Sequence, residues 1–181
     1  MPQNKKKCDH TSVAAIIRDL DRRNSSLDRI LLIERKKYNP GFALPAGHQD
    51  GDGSEKALIR EVLEEVGLVV NFARPRLMVT LNNPCKREYG TFHKWTIFNV
   101  VKWHGEVKKG EDEVKSFVWA DKEMIKEFAC RLEKFAEKNK IPIDNDHLPA
   151  LVKATNESEL WKQNPGLEPP MYVLFKELKI I

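Results

Sequence analysis

Three glutamates near the middle of the chain have the spacing that would bring their carboxylates together on one helix. Residues 54–66 show the apolar period of an α-helix, with a predicted buried stripe at Leu58, Ile59, Val62, Leu63 and Val66. Glu61, Glu64 and Glu65 then fall on the other side, at i, i+3 and i+4. Like charges at these spacings cost a helix roughly 0.2–0.5 kcal/mol per pair, and the helix dipole further disfavours anions in its last turns.

A divalent cation among the three carboxylates would offset that repulsion. Mg²⁺ takes oxygen ligands, commonly one or two carboxylates that are completed by water and substrate phosphate. The alternative is a solvated helix face without a ligand, and the glutamate spacing by itself does not separate the two. The residues on either side of the glutamates favour the metal site.

Those flanking residues resemble a known family motif. The string REVLEEVGL at residues 60–68 is similar to the second half of the Nudix box, which reads Arg-Glu-apolar-x-Glu-Glu-x-Gly-apolar. The preceding LPAGH, which starts at Leu44, resembles the Leu-Pro-Gly-Gly that opens the box in that family. On this resemblance residues 47–68 are identified as a Nudix box.

The resemblance to the Nudix hydrolase family implies a fold and a reaction. The fold would be an α/β/α sandwich with a mixed β-sheet, in which the box forms a loop, a helix and a second loop. The reaction would be hydrolysis of the pyrophosphate bond in a nucleoside diphosphate linked to another moiety, such as a nucleotide sugar or ADP-ribose. The cofactor would be Mg²⁺, with Mn²⁺ as an alternative ion.

The same resemblance assigns roles to particular residues. The metal ligands would be Glu61, Glu64, Glu65 and the main-chain carbonyl of Gly47. Arg60 would hold one of these glutamates in position. The proton of the attacking water would pass to one of the glutamates or to Glu113, which lies in an acidic segment before the predicted closing strand. Glu111 and Asp112 are alternatives to Glu113, and a solvated acidic turn is a third interpretation.

Two features depart from the family pattern. Only four residues separate Gly47 from Asp52, where the family has five residues and then a glutamate. The sequence of residues 52–55 has the form of a capping box, which predicts that Asp52 caps the helix rather than contacts the metal. An EF-hand is a rival interpretation of residues 50–61, but its sixth position, which needs glycine, is Glu55.

Five further residues are candidates for contact with the substrate, namely Arg35, Phe42, His48, Lys86 and Arg87. Arg35 lies in a basic turn before the box, where a guanidinium suits phosphate. Lys86 and Arg87 lie in a predicted loop at 83–90, where Nudix proteins often recognise the non-phosphate part of the substrate, and Tyr89 could stack on a base. Each has an ordinary alternative: Phe42 as a core residue, and the loop residues as solvated side chains.

Composition and charge exclude several classes of protein. The 181 residues are 41% apolar and 32% charged, which is typical of a soluble globular protein. The net charge of +4 is mild and the basic residues are scattered among acids, so nucleic-acid binding is not expected. No apolar run approaches the roughly 20 residues that span a bilayer, and no signal-peptide segment follows the basic N-terminus.

Cysteine usage favours a reducing cytoplasm. Cys8, Cys85 and Cys130 are widely spaced and odd in number, which argues against a disulfide framework. Because no CxxC pair occurs, structural zinc is not expected, and Cys8 with His10 is the nearest approach to a ligand pair. His93 lies within a strand pattern and is interpreted as a core or rim histidine.

The remaining patterns place strands around the box and helices after it. Strands are predicted at 12–18, 29–33, 76–82 and 91–103, with a polar loop at 19–26, and the segment 110–119 resembles the closing strand of the family. A helix is predicted over 121–140 with Asp121 as its cap, followed by shorter helical pieces at 147–154 and 171–178. This divides the chain into a Nudix domain at residues 1–120 and a helical extension at residues 121–181, which packs on the same domain or on the partner subunit of a homodimer.

Three functions compete for this sequence. The complete REVLEEVG favours a metal-dependent Nudix hydrolase. A Nudix-fold nucleotide-binding or regulatory module with little catalysis is the alternative, supported by the shortened loop and Asp52. An RNA-processing member would need salt-dependent RNA affinity, which the modest charge gives little reason to expect. The sequence leaves the choice of nucleotide open.

Overall fold

The computed structural model describes residues 6–19 and 28–181, so the predicted polar loop at 19–26 lies outside the described residues except for Asp19. The described residues form seven strands: β1 (Thr11–Ile17), β2 (Ile30–Arg35), β3 (Phe42–Ala43), β4 (Ala46–His48), β5 (Val69–Leu81), β6 (His93–His104) and β7 (Val114–Ala120). They also form five helices: α1 (Ser54–Val66), α2 (Lys122–Asn139), α3 (Leu148–Glu157), α4 (Glu159–Gln163) and α5 (Pro169–Glu177). None of the helices in this described part is long and apolar enough to cross a membrane.

The strands form two sheets. The four-stranded sheet has the order β4-β1-β6-β5, and β1 runs parallel to β6 while the other pairs are antiparallel. The three-stranded sheet has the order β3-β2-β7 and is antiparallel throughout. The predicted mixture of parallel and antiparallel pairing is therefore present.

Alternate residues of β1 face two separate hydrophobic cores. Ala15 and Ile17 belong to a core that they share with Val62 of α1. Ile16 belongs to a second core, together with Phe128 of α2 and residues of α3, α4 and α5. Since successive side chains of a strand point to opposite faces, helices cover both sides of the sheet layer. This arrangement confirms the α/β/α fold class that the sequence predicted.

The buried face of α1 differs from the predicted stripe. Three of the five predicted apolar residues are buried, but Ile59 is 44% exposed and Leu63 is 52% exposed. Ala57 and Glu65 are buried in their place. Burial of a carboxylate is costly unless it is paired, and Glu65 finds a cation and a backbone amide inside the protein. These internal partners allow the helix to turn a polar residue inward.

The strand predicted at 76–82 is longer than expected, because β5 starts at Val69. β5 is an edge strand of the four-stranded sheet, and its pairing with β6 shifts register at three points, one of them between Pro75 and Leu77. Proline and bulges are tolerated at a sheet edge, and most of β5 faces solvent. Its sequence therefore lacks the regular apolar alternation that predicts a strand.

The C-terminal helices share a core with the sheets. Asp121 caps α2 as predicted, since its side chain accepts a hydrogen bond from the Met124 N–H. Leu148, Trp161 and Phe175, from α3, α4 and α5, are buried in the core that also contains residues of β1 and β6. α4 lies in a stretch whose sequence suggests turns. The domain boundary at residue 120 stays a prediction.

Candidate active site

A cleft of about 290 Å³ brings together most of the residues that the sequence singled out. It is bordered by β4, by the last turns of α1, by the loop between β5 and β6, and by the segment before β7. Nine predicted site residues line it: Arg35, Gly47, His48, Arg60, Glu61, Glu64, Lys86, Arg87 and Glu113. Among the described residues, the two predicted site residues outside this lining are Glu65 and Phe42.

Glu61 is held against β4. Its side chain is 12% exposed, and a methyl group on Gly47 would lie 2.1 Å from its carboxylate carbon, so the close approach requires glycine. Arg60 donates to one Glu61 oxygen and, at 2.9 Å, to the carbonyl of His48. Burial raises the pKa of Glu61, and the hydrogen bond from Arg60 opposes that shift. The arginine thus contacts a box glutamate, in the way that its predicted positioning role requires.

The other two box glutamates differ in exposure and in their partners. Glu64 is 61% exposed, and its carboxylate lies 3.8 Å from the Arg60 guanidinium. Glu65 is only 4% exposed. One of its oxygens accepts from Arg35 at 3.2 Å and the other accepts from the Ala46 N–H at 2.7 Å. α1 turns Glu65 inward onto an internal arginine, which the sequence did not predict, and the convergence of the three carboxylates on one metal ion stays a prediction.

Arg35 joins three parts of the fold. Its guanidinium donates to Glu168 at 3.0 Å, to Glu65 at 3.2 Å and to the Ala46 carbonyl at 3.3 Å. Burial acts against its charge, but Glu168 and Glu65 together raise the pKa of Arg35 above its ordinary value. Burial raises the pKa of Glu65 and of Glu168, while the shared guanidinium opposes the shift. Most donors of Arg35 are thus bound to protein groups rather than directed at a ligand.

The prediction that Asp52 caps α1 is wrong. The N-cap residue is Gly53, and no side chain makes a cap hydrogen bond there. The Asp52 carboxylate instead accepts from Lys56 at 2.7 Å and from Arg60 at 3.4 Å. Two cations farther along the helix therefore take the carboxylate that was expected to bind the backbone amides. Asp52 does not line the cleft, so its alternative role in metal contact gains no support.

The loop between β5 and β6 contributes cations to the cleft. Lys86 is exposed, and its amine lies 3.8 Å from the Glu113 carboxylate. Arg87 makes a two-point ion pair with Asp50, with one contact at 3.1 Å. Glutamates and cations therefore line one cleft. This combination suits a phosphate-containing ligand, because a metal ion can bind both its phosphate oxygens and the carboxylates of the protein.

Phe42 packs in the hydrophobic core. Its ring stacks on Phe128 of α2 with a centroid distance of 4.0 Å, and residues of the sheets and C-terminal helices surround it. This packing agrees with the core role, one of the two interpretations that the sequence allowed. Glu168 lies on the cleft wall instead, although it is far from the box in sequence and no motif marked it.

His48 lies at one end of the cleft, among residues that the sequence did not mark as a group. Its Nε2 lies 3.1 Å from Nε2 of His93 and 3.6 Å from Sγ of Cys8. Cys85 completes what we call the Cys–His cluster: Cys8, His48, Cys85 and His93. Burial, together with the charge of Arg87, lowers the pKa of His48 to about 4. Near neutral pH, His48 is therefore an uncharged imidazole and presents no positive charge to phosphate.

The residues at Glu61 fit a hard divalent cation. Arg60 holds one carboxylate oxygen, and among the described residues the structure assigns no hydrogen bond to the other. The Gly47 backbone packs against this carboxylate, and Glu64 is largely exposed close by on the same helix. Carboxylate and carbonyl oxygens are the ligands that Mg²⁺ prefers. We call Glu61, Glu64 and the Gly47 carbonyl the glutamate site.

Comparisons with known proteins agree with the fold and the motif. The model of the NUDIX domain matches residues 9–143. A MutT NUDIX hydrolase from Burkholderia pseudomallei is 24% identical, with a TM-score of 0.51 over 63% of this chain and 84% of that one. The dihydroneopterin triphosphate pyrophosphohydrolase of E. coli is 18% identical, with a TM-score of 0.51 over 66% of this chain and 85% of that one. No curated protein matches the chain significantly.

The family match covers more than half of the chain and includes both sheets, the box helix and α2. These two structural neighbours have less than 25% identity and therefore support the fold alone. Within the matched region, the box residues lie on α1 and at its Gly67 cap, beside the cleft. The chain therefore belongs to the NUDIX family, and it is a pyrophosphohydrolase in the general sense of that family, an enzyme acting on phosphorus-containing anhydrides.

Proposed function

We propose that this protein is a Mg²⁺-dependent hydrolase of a nucleoside diphosphate linked to another moiety, such as a nucleotide sugar or ADP-ribose. The observation that supports this most directly is the placement of Glu61 on the cleft wall. Arg60 orients its carboxylate, and the absence of a side chain on Gly47 leaves room for it. Mn²⁺ is the expected alternative ion.

The charge of the cleft explains the need for an ion. Glu61, Glu64 and Glu113 line the surface that a diphosphate would approach, and all are negative when ionised. When bound there, Mg²⁺ would polarise the phosphoryl oxygens and lower the pKa of bound water. Lys86 would attract the phosphates from the other loop. The chain itself thus supplies the ligands for the ion and one exposed cation for the substrate.

The ligand set is narrower than the one expected from the motif. We assign the ion to Glu61, Glu64 and the Gly47 carbonyl, because Glu65 already has a partner on each oxygen. Glu65 acts as a positioning residue in this proposal. It ties α1 to Ala46, next to Gly47 on β4, and so keeps the Gly47 carbonyl and Glu61 in register.

The proton of the attacking water needs a carboxylate that the ion does not require. Glu113 meets this condition, since it lines the cleft from the segment before β7 and not from α1. Its contact with Lys86 at 3.8 Å places a cation beside it. We assign Glu113 as the proton acceptor, with Glu64 as the alternative.

The proposal is tested by turnover of a nucleotide panel that contains nucleotide sugars, ADP-ribose, dinucleoside polyphosphates and oxidised nucleotides. Each compound is incubated with Mg²⁺ or Mn²⁺, and phosphorylated products are measured. Glu64→Gln is expected to abolish metal-dependent product release while the fold remains intact. Glu137→Gln, an exposed change on α2, is the matched control and should retain wild-type turnover. Unchanged turnover in Glu64→Gln would contradict the ligand assignment.

The same panel addresses the regulatory alternative. Saturable nucleotide binding without product, with both metals present, would favour the binding module that the sequence left open. Cytoplasmic location and a homodimer are further parts of this proposal that rest on the sequence. Sedimentation equilibrium tests the homodimer directly, and a single species of monomer mass across concentrations would exclude it.

A further inference from the structure

The Cys–His cluster brings four metal-binding side chains to one point. Cys8 comes from the N-terminal segment, His48 from β4, Cys85 from the loop after β5 and His93 from the start of β6. One ligand atom from each side chain lies within 4.8 Å of all the others. His93 is buried and the other three are half-buried, and His48, Cys85 and His93 form part of the cleft wall.

The spacing of three of the four ligand atoms, those of Cys8, His48 and His93, is close to that of a tetrahedral zinc site. With Zn–N bonds of about 2.05 Å and Zn–S bonds of about 2.3 Å, two nitrogens lie about 3.3 Å apart and a nitrogen and a sulfur about 3.5 Å apart. The two imidazole Nε2 atoms are 3.1 Å apart. Sγ of Cys8 lies 3.2 Å from Nε2 of His93 and 3.6 Å from Nε2 of His48. Only shifts of a few tenths of an ångström separate these distances from those of a coordinated ion.

Neighbouring groups orient two of the ligands. The Nδ1 atom of His93 lies 2.9 Å from the Asn83 carbonyl, to which it donates as an N–H, so its Nε2 carries the lone pair that faces the cluster. This is the arrangement that fixes the tautomer of metal-binding histidines. The N–H of His10 donates to Sγ of Cys8 at 3.3 Å, which fixes the position of this sulfur.

Backbone contacts hold the two cysteines near each other. The N–H of Cys8 donates to the Glu88 carbonyl at 2.9 Å, which joins the N-terminal segment to the loop that carries Cys85. A methyl group on Gly90 would lie 2.2 Å from Sγ of Cys85, so the loop closes tightly around this sulfur. The cluster is therefore built by pairing of backbone segments and not by chance contact of long side chains.

We propose that Cys8, His48, Cys85 and His93 bind one Zn²⁺ ion in a closed structural site. Two thiolates and two imidazoles form a ligand set typical of structural zinc, whereas Mg²⁺ prefers oxygen. All four positions are protein atoms, so the ion has no open position for water or substrate. Binding releases the two cysteine thiol protons to solvent, and the two thiolates then balance the charge of the ion.

The site would fix the loop that borders the cleft. Cys85 directly precedes Lys86 and Arg87, both of which line the cleft, and His48 follows Gly47 of the glutamate site. Zinc would tie this loop and the N-terminal segment to β4 and β6. Without the ion, the same four side chains could form only a hydrogen-bonded network or a Cys8–Cys85 disulfide, which are the two outcomes that the test must separate from zinc.

The first test measures metal content in the full, untagged chain purified with a reductant and without added metal. We expect one zinc per chain after gel filtration, retained in a large excess of Mg²⁺. After a chelator removes the zinc, titration with Co²⁺ should produce the visible absorption of tetrahedral cobalt with thiolate ligands, and added Zn²⁺ should abolish it. Chains without tightly bound zinc, or octahedral cobalt spectra, would overturn the proposal.

The second test uses the third cysteine as a matched control. Cys8→Ser and Cys85→Ser should lose stoichiometric zinc, whereas Cys130→Ser, in which the changed residue lies on α2 outside the cluster, should retain it.

If a cluster variant fails to fold, the thermal stability of the wild type still tests the zinc site. Its Tm should fall when zinc is removed and recover when zinc is returned, and an unchanged Tm or a Cys8–Cys85 disulfide found by mass spectrometry would overturn the proposal. Glu61→Gln should retain zinc whatever its turnover, which separates this site from the proposed hydrolysis.

Discussion

The glutamate site and the Cys–His cluster each include one residue of β4, Gly47 and His48 respectively, but they are assembled in opposite ways. Glu61 and Glu64 come from one helix, and only the Gly47 carbonyl is added from elsewhere. The four cluster residues come from four separate segments. A site built on one helix leaves a spacing in the sequence, whereas a site built from distant segments leaves none. Local periodicity therefore predicts a site that is built on one helix but gives no information about a site that is built from separate segments.

The two regions also differ in how open they are. Glu64 is largely exposed and Glu61 borders the cleft, so the glutamate site can admit water and substrate. The cluster has four protein ligand atoms that already face one another. An open set of hard oxygen ligands suits catalysis with Mg²⁺, and a closed set of nitrogen and sulfur suits a structural ion. The predictions below separate these two roles.

The largest expected effect is on stability and comes from the arginine behind the glutamate site. Arg35→Met leaves Glu65 and Glu168 buried without their cation. Removing one partner of a buried ion pair typically costs about 3–5 kcal/mol, so urea unfolding should show a loss of this size. Arg35→Lys should recover part of it. A loss below about 1 kcal/mol would show that Glu65 is not held by Arg35 and is available to the metal.

The second effect is on turnover. Glu61→Gln removes a carboxylate charge from the proposed ion, and we expect kcat/KM to fall by more than about 100-fold, because residues that merely support metal ligands already contribute about 10–100-fold. Zinc content and the urea midpoint should stay close to those of the wild type. A parallel loss of zinc would show that the two regions form one site.

Three glycine substitutions compare the regions directly. Gly47→Ala places a methyl group 2.1 Å from the Glu61 carboxylate, and Gly90→Ala places one 2.2 Å from Sγ of Cys85. Overpacking of this kind costs about 1–3 kcal/mol, so both variants should be less stable. We expect Gly47→Ala to lose turnover but keep zinc, and Gly90→Ala to show weakened zinc binding.

Gly53→Ala is the matched control for this pair, because a methyl group there meets no atom within 4 Å and its φ of −64° suits alanine. It should keep both turnover and zinc. If Gly47→Ala also lost zinc to the same degree as Gly90→Ala, the neighbouring positions of Gly47 and His48 would couple the two regions more strongly than their separate ligand sets suggest.

The smallest expected effect concerns the loop that both regions share. Lys86→Gln removes an exposed cation from the cleft and should raise KM by up to about 5-fold with little change in kcat, since exposed charge pairs contribute about 0.2–1 kcal/mol. Removal of zinc with Mg²⁺ left in place should change KM in the same direction. An unchanged KM after zinc removal would show that the cluster does not position this loop.

Much of the fold could be predicted from local patterns. β1, β2, α1 and α2 carry regular apolar periods, and Asp121 has the residue type and position of a helix cap. β5 could not be predicted in full, because an edge strand with bulges and Pro75 lacks alternation. α1 was predicted as a helix but with the wrong buried face, because the apolar pattern contains no information about Arg35, the cation that pairs with Glu65 inside the protein.

In the candidate site, too, the residues in a local motif could be predicted and the residues that depend on tertiary contacts could not. The box motif indicated Arg60, Glu61, Glu64 and Gly47, and all of them line the cleft. Asp52 was assigned as a cap because Ser/Thr/Asp/Asn before a helix usually bind its free amides, but Lys56 and Arg60 compete for its carboxylate here. Glu168 carries no local signal, since its contact with Arg35 depends on how the C-terminal helices return to the sheets.

By itself, the sequence determined the family, the helix that carries the box glutamates and the hard-ligand chemistry of that helix. Residue type and spacing are enough for these, because neighbours on a helix are set by local geometry. Only the tertiary structure decided which glutamate is buried, which is exposed, and that two cysteines and two histidines meet. Those outcomes depend on contacts between residues far apart in the chain, such as Arg35 with Glu65 and Cys8 with His93, for which no local spacing exists.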